Sequence, residues 1–310
     1  MSNDKKLTIA IPTFDREVFL HEALVSIDGQ IFKEFEIILF DNASPYDIER
    51  LIKLFPKLSI KLVKHASNIG AQANLEFALA YNYDTPYVML FHDDDTIHPK
   101  YLEDAIKVLE ENPRLMWLGS LVNYVSNYKK MLFLKDISAL PVIKTYRQGE
   151  LADALINNLP LGFSSVIYNR QTLNHIRPDA DRFYIWCDRP FLLETCGENM
   201  IAVIHYPYIN YRIHAAQDSA LLYREHITEM IRLIEYFCHI ATPGKRGRIF
   251  ATASAIKTAA VNASSVKDFF FILQTFQDRG LYSIKYLRPY SLMWLGWLLW
   301  KRARYSLLKR

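Results

Sequence analysis

Residues 1–120 alternate between two hydrophobic periods, and this alternation restricts the possible folds more than any other feature of the chain. Leu7-Thr8-Ile9-Ala10-Ile11 reads as a buried strand. Val18, Phe19, Ala23, Leu24 and Ile27 then recur at helical spacing. Phe35 to Phe40 is a second strand, and Ser44-Pro45-Tyr46-Asp47 opens a helix, with a capping serine, a proline at the first helical position and an acid three residues after the cap. Ile60 to Val63, Ala71 to Tyr81, Tyr87 to Phe91 and Pro99 to about Glu111 continue as strand, helix, strand, helix. Such alternation requires parallel strands joined by crossovers. The expected fold class is therefore α/β, a Rossmann-like, mostly parallel sheet with helices on both faces.

The remainder is less regular. Met116 to Val125, Phe163 to Tyr168 and Met200 to Ile209 read as strands, with helices near Gly149 to Asn158 and Cys187 to Cys196. From Ala220 the pattern is helical nearly to the end, broken at Pro243-Gly244 and near Arg279-Gly280. The expected organisation is one α/β domain over 1–217, with halves 1–120 and 121–217, followed by a C-terminal helical region over 218–310.

In open α/β sheets, ligands bind at the carboxyl ends of the strands. That rule gathers Pro12-Thr13-Phe14-Asp15, Asp41-Asn42-Ala43-Ser44, Ser67-Asn68-Ile69-Gly70 and His92-Asp93-Asp94-Asp95 on one rim. Three consecutive acids directly after an apolar strand repel one another and call for a compensating cation, unless they form a solvated loop leading into the next helix. Common alternatives are missing. No G-x-G-x-x-G follows the first strand, and there is no G-x-x-x-x-G-K-[ST], no G-x-S-x-G and no H-E-x-x-H. A nucleotidyltransferase should place a glycine-rich basic loop where this chain has Pro12-Thr13-Phe14-Asp15-Arg16.

The ordered set Ile11-Pro12-Thr13-Phe14-Asp15-Arg16, Phe40-Asp41-Asn42-Ala43-Ser44, Asn68-Ile69-Gly70 with Asn74, Phe91-His92-Asp93-Asp94-Asp95, Trp186-Cys187-Asp188 and Tyr211-Arg212-Ile213-His214-Ala215-Ala216-Gln217 resembles the family-2 glycosyltransferases of GT-A fold. The resemblance covers about residues 5–217. It implies that Pro12, Thr13, Phe14, Asp41, Asn68, Asp93 and Asp94 bind the nucleotide part of a nucleotide-diphosphate sugar. Phe14 stands where the family usually has a base-stacking tyrosine. Asp41 stands where an acid accepts a hydrogen bond from the base, commonly uracil. Asp94, Asp95 and His214 match divalent-metal ligands, for Mn²⁺ or Mg²⁺, with His92 in place of the first acid of the commoner D-x-D form. Asp188 matches the catalytic base.

Such chemistry needs these residue types. A departing diphosphate gathers negative charge that a hard cation held by carboxylates neutralises. The acceptor hydroxyl must lose its proton to a positioned base. Taken singly, several residues stay open between two roles. Ser44 reads as a helix cap, Phe14 as core or base-stacking, Trp186 as core or sugar-stacking, and Asn68-Ile69-Gly70 as a bare turn. Asp188 alone reads as the residue that opens a helix.

The resemblance further implies an inverting transferase of bacterial surface-polysaccharide type (O-antigen, capsule or similar) acting on a glycan or lipid-linked glycan. A non-catalytic nucleotide-sugar or glycan-binding module is the alternative. Processive synthases of the family carry Q-x-x-R-W and membrane spans. Neither is found, so transfer of one sugar is expected.

Formal net charge is +4, yet no acid follows Asp278, while eight Lys or Arg do. Trp294, Trp297 and Trp300 precede Lys301, Arg302 and Arg304. This tail is either a packed helix or a surface for an anionic membrane. No nucleic-acid-binding motif accompanies it. With three scattered cysteines and no signal-peptide pattern, the expected location is cytoplasmic, peripheral on the inner face of the membrane.

Overall fold

The computed structural model describes residues 5–126, 140–157, 159–173, 176–214, 227–241, 245–262, 266–283, 285 and 296. The chain divides into two compact units. One takes in 1–148, 159–178 and 191–215, the other 149–158, 179–190 and 216–310. The boundary expected at 217 falls among residues 215–226, outside the described residues.

The first unit holds the sheet. Strands β1 (Leu7–Thr13), β2 (Phe35–Asp41), β3 (Ile60–Lys64) and β4 (Tyr87–Leu90) lie in the order β3-β2-β1-β4, all parallel. Leu7, Ile9, Ala10 and Ile11 are fully buried in the central β1. A continuous apolar run, without alternation, is what a strand covered on both faces requires. Each such Leu or Ile contributes roughly 1.5–3 kcal/mol by burial. Helices α1 (Glu17–Asp28), α2 (Ile48–Ile52), α3 (Ala71–Ala80) and α4 (Tyr101–Glu111) follow the strands as the periodicity predicts. Leu20, Ala23, Leu24 and Ile27 form the buried stripe of α1.

The later strands are β5 (Thr96–Ile97), β6 (Trp117–Ser126), β7 (Ile143–Tyr146), β8 (Ile167–Asn169) and β9 (Ile201–Ile213). β8 enters antiparallel between β4 and β6. β9 runs parallel to β6 and antiparallel to β5 and β7. The sheet is thus mixed, with the fully parallel part confined to its first four strands. Sequence pattern misses β5, which is two residues long, and β7, whose Ile143-Lys144-Thr145-Tyr146 is not an apolar run.

Two local expectations are corrected. Ser44 does not cap α2. Asp47 does, its carboxylate accepting from Arg50 N at 3.0 Å. Ser44 is held away by its own N–H, which donates to Asp41 Oδ1, and its hydroxyl accepts from Asp15 N. Phe163 to Ser165 is a 3₁₀ turn, and the strand begins only at Ile167. The Ser165 hydroxyl bonds the carbonyls of Gly162 and Ser120, replacing a regular ladder. In the C-terminal part, α9 (Lys245–Asn262) and α10 (Val266–Asp278) are described as helix.

Helices α5 (Gln148–Ile156), α6 (Ala180–Phe183), α7 (Asp188–Cys196) and α8 (Ile227–Ile240) also lie among the described residues. In the second unit, Ile231 and Ile234 of α8, Ala255 and Ala259 of α9, and Ile272 and Phe276 of α10 form one apolar cluster. No helix among the described residues is long and apolar enough to cross a membrane. Trp294, Trp297 and Trp300 lie outside the described residues.

Candidate active site

Every feature of the rim begins where a parallel strand stops pairing. β1 pairs with β4 only as far as Ala10, but with β2 as far as Thr13. Pro12, which has no N–H to give, sits in that one-sided stretch. Beyond it come Thr13, the exposed ring of Phe14, Asp15 and Arg16. Asp15 has φ 50°, and Ala43, in the neighbouring exit, has φ 61°. Left-handed backbone at non-glycine residues is strained and persists where surrounding bonds enforce it. Here Asn42 N donates to Thr13 O at 2.9 Å and Asp15 N to Ser44 Oγ at 3.2 Å, lacing the two exits together.

Asp41 is fully buried at the end of β2. Its Oδ1 accepts from Ser44 N at 2.9 Å, while its buried Oδ2 has no hydrogen-bond partner among the described residues. Lys64 Nζ stands 3.7 Å from Oδ2, close enough to attract and too far to hydrogen-bond. Next to it, Asn42 Nδ2 donates to Asn68 Oδ1, and Asn42 Oδ1 accepts from Ile69 N. Asn68 Oδ1 also accepts from Gly70 N, and Gly70 takes φ 92°, a turn that a side chain would strain. Asn68-Ile69-Gly70 is therefore a turn, and it is tied to the β2 exit.

The acid run follows β4. Asp93, Asp94 and Asp95 are all buried, and each has separate partners. Asp93 accepts from Thr13 Oγ1 at 2.8 Å and from Arg16 Nη1 at 3.0 Å. Asp94 Oδ2 accepts from the same Arg16 nitrogen at 3.0 Å and lies 2.9 Å from His214 Nε2. Asp95 accepts from Ser164 Oγ at 2.6 Å and from Arg212 N at 3.0 Å, with His92 Nδ1 at 3.6 Å. Burial pushes the Asp95 carboxyl up to about 7, against the pull of His92. It also raises Asp93, against Arg16. Arg212 is locked in turn. Its Nε donates to Asp94 O, its Nη2 pairs with Glu22, and its guanidinium lies 4.4 Å from the centre of the Phe19 ring.

One donor atom each from His92, Asp94 and Asp95 lies within 4.8 Å of the others. Carboxylates with one imidazole suit Mn²⁺ or Mg²⁺, so the donor set fits a divalent ion. Thr13, Asp93, Asp94, Asp95 and His214 thus meet at one place. Asp41 and Asn68 meet at the β2 exit beside it. His92 joins the donor group although the resemblance gives it no ligand role. Asp188, half-buried, is the first residue of α7 and falls in the second unit. Arg16, Ser164 and Arg212 are the residues that sequence reasoning left without a task. Arg16 and Arg212 stood inside the quoted motifs, which was the available signal, whereas nothing marked Ser164.

Comparison with known proteins agrees with this architecture. Glycosyl transferase family 2 matches residues 8–173. An uncharacterised glycosyltransferase of Haemophilus influenzae is 21% identical over 239 residues, covering 73% of this chain and 71% of that protein. One from Rickettsia conorii is 30% identical over 110 residues, but the match takes in 36% of this chain and only 18% of the Rickettsia protein. Among solved structures, Staphylococcus aureus TarS in complex with UDP-GlcNAc superposes with a TM-score of 0.61 at 17% identity, covering 87% of this chain and 80% of that one. Mannosyltransferase PcManGT from Pyrobaculum calidifontis, in complex with GDP-Man and Mn²⁺, gives 0.53 at 17% identity, covering 95% and 85%. Since the family match takes in more than half of the sequence and both superpositions show the same architecture, the chain belongs to glycosyl transferase family 2 and has the GT-A fold.

Proposed function

We propose that this chain is an inverting, divalent-metal-dependent transferase that moves one sugar from a UDP-sugar to a glycan or lipid-linked glycan in surface-polysaccharide synthesis. The observation that carries the reading is the meeting, on one sheet rim, of the buried acids after β4 with the unsatisfied Asp41 Oδ2 after β2. An acceptor oxygen without a donor suits the N3–H of uracil. Phe14, 39% exposed beside it, offers a ring face for stacking. Thr13 holds Asp93 at the place where the ribose and first phosphate would lie. Asp94 and Asp95, with His92, would hold Mn²⁺ or Mg²⁺, and His214 orients the Asp94 carboxylate. When bound, the ion neutralises charge on the departing diphosphate. Asp188 takes the proton of the acceptor hydroxyl; its assignment rests on the match of Trp186-Cys187-Asp188 to the family pattern. TarS with UDP-GlcNAc and PcManGT with GDP-Man carry different bases, so the preference for uracil rests on Asp41 and Phe14.

The test is a screen of nucleotide sugars for thermal stabilisation with Mn²⁺ or with chelator, followed by transfer assays on each hit. UDP-sugars should stabilise only with the ion present, and Asp94→Ala should abolish the difference. Identical titrations with and without chelator would refute the metal-dependent reading. Binding with no turnover on any acceptor would favour a non-catalytic module.

A further inference from the structure

Arg16 stands directly after the strained Asp15, at the N-terminal end of α1. A single nitrogen, Nη1, bridges Asp93 Oδ1 and Asp94 Oδ2 at 3.0 Å each. Its side chain keeps 29% of its exposure, while those of Asp93 and Asp94 keep 5%. The other cation of the cluster, Arg212, is fixed by Glu22, by the carbonyl of Asp94 and by the ring of Phe19. Of the two arginine side chains, Arg16 is the more exposed, 29% against 5% for Arg212.

A divalent ion bound to a carboxylate sits roughly 2.0–2.6 Å from its oxygen. Arg16 Nη1 sits 3.0 Å from Asp94 Oδ2. Two cations on one carboxylate, with water largely excluded, repel strongly. The ion therefore competes with Arg16 for the same acids. The diphosphate that arrives with the ion is the anion best matched to a displaced guanidinium, which binds phosphate through paired N–H groups.

The geometry points to Arg16 as a resident counter-cation: it holds Asp93 and Asp94 together before the donor arrives, and it is displaced onto the diphosphate when the ion binds. Metal and nucleotide are then coupled, each strengthening the other, because either one alone must dislodge Arg16 without the full compensation. This rests on the metal-dependent reading given under Proposed function. Arg16 acts here as a positioning residue.

The experiment titrates Mn²⁺ into the full chain and reads free Mn²⁺ by electron paramagnetic resonance, with and without UDP. In the unaltered protein, UDP should tighten Mn²⁺ binding by about tenfold or more. Arg16→Gln should bind Mn²⁺ alone about tenfold more tightly than the unaltered protein, and UDP should tighten that binding by a smaller factor than it does in the unaltered protein. Arg16→Lys, which keeps the charge, should return the coupling toward its original size. A residue that merely supported the fold would weaken Mn²⁺ binding when replaced, never strengthen it. Equal or weaker Mn²⁺ binding by Arg16→Gln overturns the inference.

If Arg16→Gln does not fold, the guanidinium ¹⁵N signal of Arg16, assigned by its loss in Arg16→Lys, replaces that comparison. A shift on saturation with Mg²⁺ and UDP supports displacement, and an unmoved signal overturns it. The two readings fail differently. Absence of Mn²⁺ binding in every protein, with or without UDP, overturns the metal site and Arg16's role together. Mn²⁺ binding that needs Asp94 but ignores Arg16 overturns Arg16 alone.

Discussion

Asp41 Oδ2 is a buried carboxylate oxygen with no hydrogen-bond donor among the described residues, and an unsatisfied buried acceptor is costly to fold. A ligand N–H would remove that cost. A hydrogen bond to a charged group contributes about 1.5–3 kcal/mol, so Asp41→Asn should weaken UDP by roughly ten- to a hundredfold. Competition between UDP and GDP reads it directly. A preference for GDP in the unaltered protein would remove the uracil assignment and leave the transferase reading standing. Asp188→Asn keeps shape but takes no proton at neutral pH. Transfer should fall by roughly a hundredfold or more with donor affinity nearly unchanged, as measured by rate and by titration. Full activity in that variant would place the base elsewhere. At this scale the sequence was legible for the acids and silent about their partners. Thr13, Ser164, Arg212 and His214 reach Asp93, Asp94 or Asp95 across 69 to 120 positions of chain. No local period or spacing encodes such pairings. A motif comparison finds the residues but not their bonds.

Among the elements, the exits of β1 and β2 behave as one part. Ser44 reads as a cap in the sequence because Ser-Pro-x-Asp is a helix-start pattern, and that reading is wrong. The cap is Asp47, and the freed serine hydroxyl ties down Asp15 in the neighbouring loop. The two residues should therefore fail differently. Asp47→Ala should cost about 1 kcal/mol of stability in urea unfolding and leave UDP affinity alone. Ser44→Ala should weaken UDP binding, because Asp15 and with it Phe14 lose their anchor. If Ser44→Ala lowered stability alone, with nucleotide affinity intact, the lacing of the two loops would not matter for binding. The strands β1 to β4 were readable as apolar runs, and α1 by its helical spacing. β5 is only two residues long and β7 has no apolar run, so neither was read, while the strand read from Phe163 starts only at Ile167 because a 3₁₀ turn built on serine side-chain bonds precedes it.

On the scale of the whole molecule, the parallel half of the sheet was legible and the antiparallel entry of β8 was not, because strand direction depends on partners chosen far away in sequence. The acid-free stretch after Asp278, with its three tryptophans, leads to a prediction about the intact chain. Each Lys or Arg near an anionic surface adds about 1 kcal/mol. The protein should co-sediment with anionic vesicles, less so at high salt, and a chain ending before Ser291 should stay in solution. Indifference to vesicles, together with unfolding of the shortened chain, would assign the tryptophans to a core. β9 has a further consequence, one of timing. It is the last strand among the described residues, and its tip delivers Arg212 N to Asp95 and His214 to Asp94. A nascent chain emerges with β1 to β4 and the three acids well ahead of that strand. Contacts separated by 117 and 120 positions form late and slowly. The nucleotide side of the rim is thus available for early assembly, while the acid side closes only after residue 214 has left the ribosome. A polypeptide interrupted in that interval has Thr13 and Arg16 for Asp93 and Asp94 but lacks the Arg212 and His214 contacts to Asp95 and Asp94, and it is the species a quality-control protease should find first.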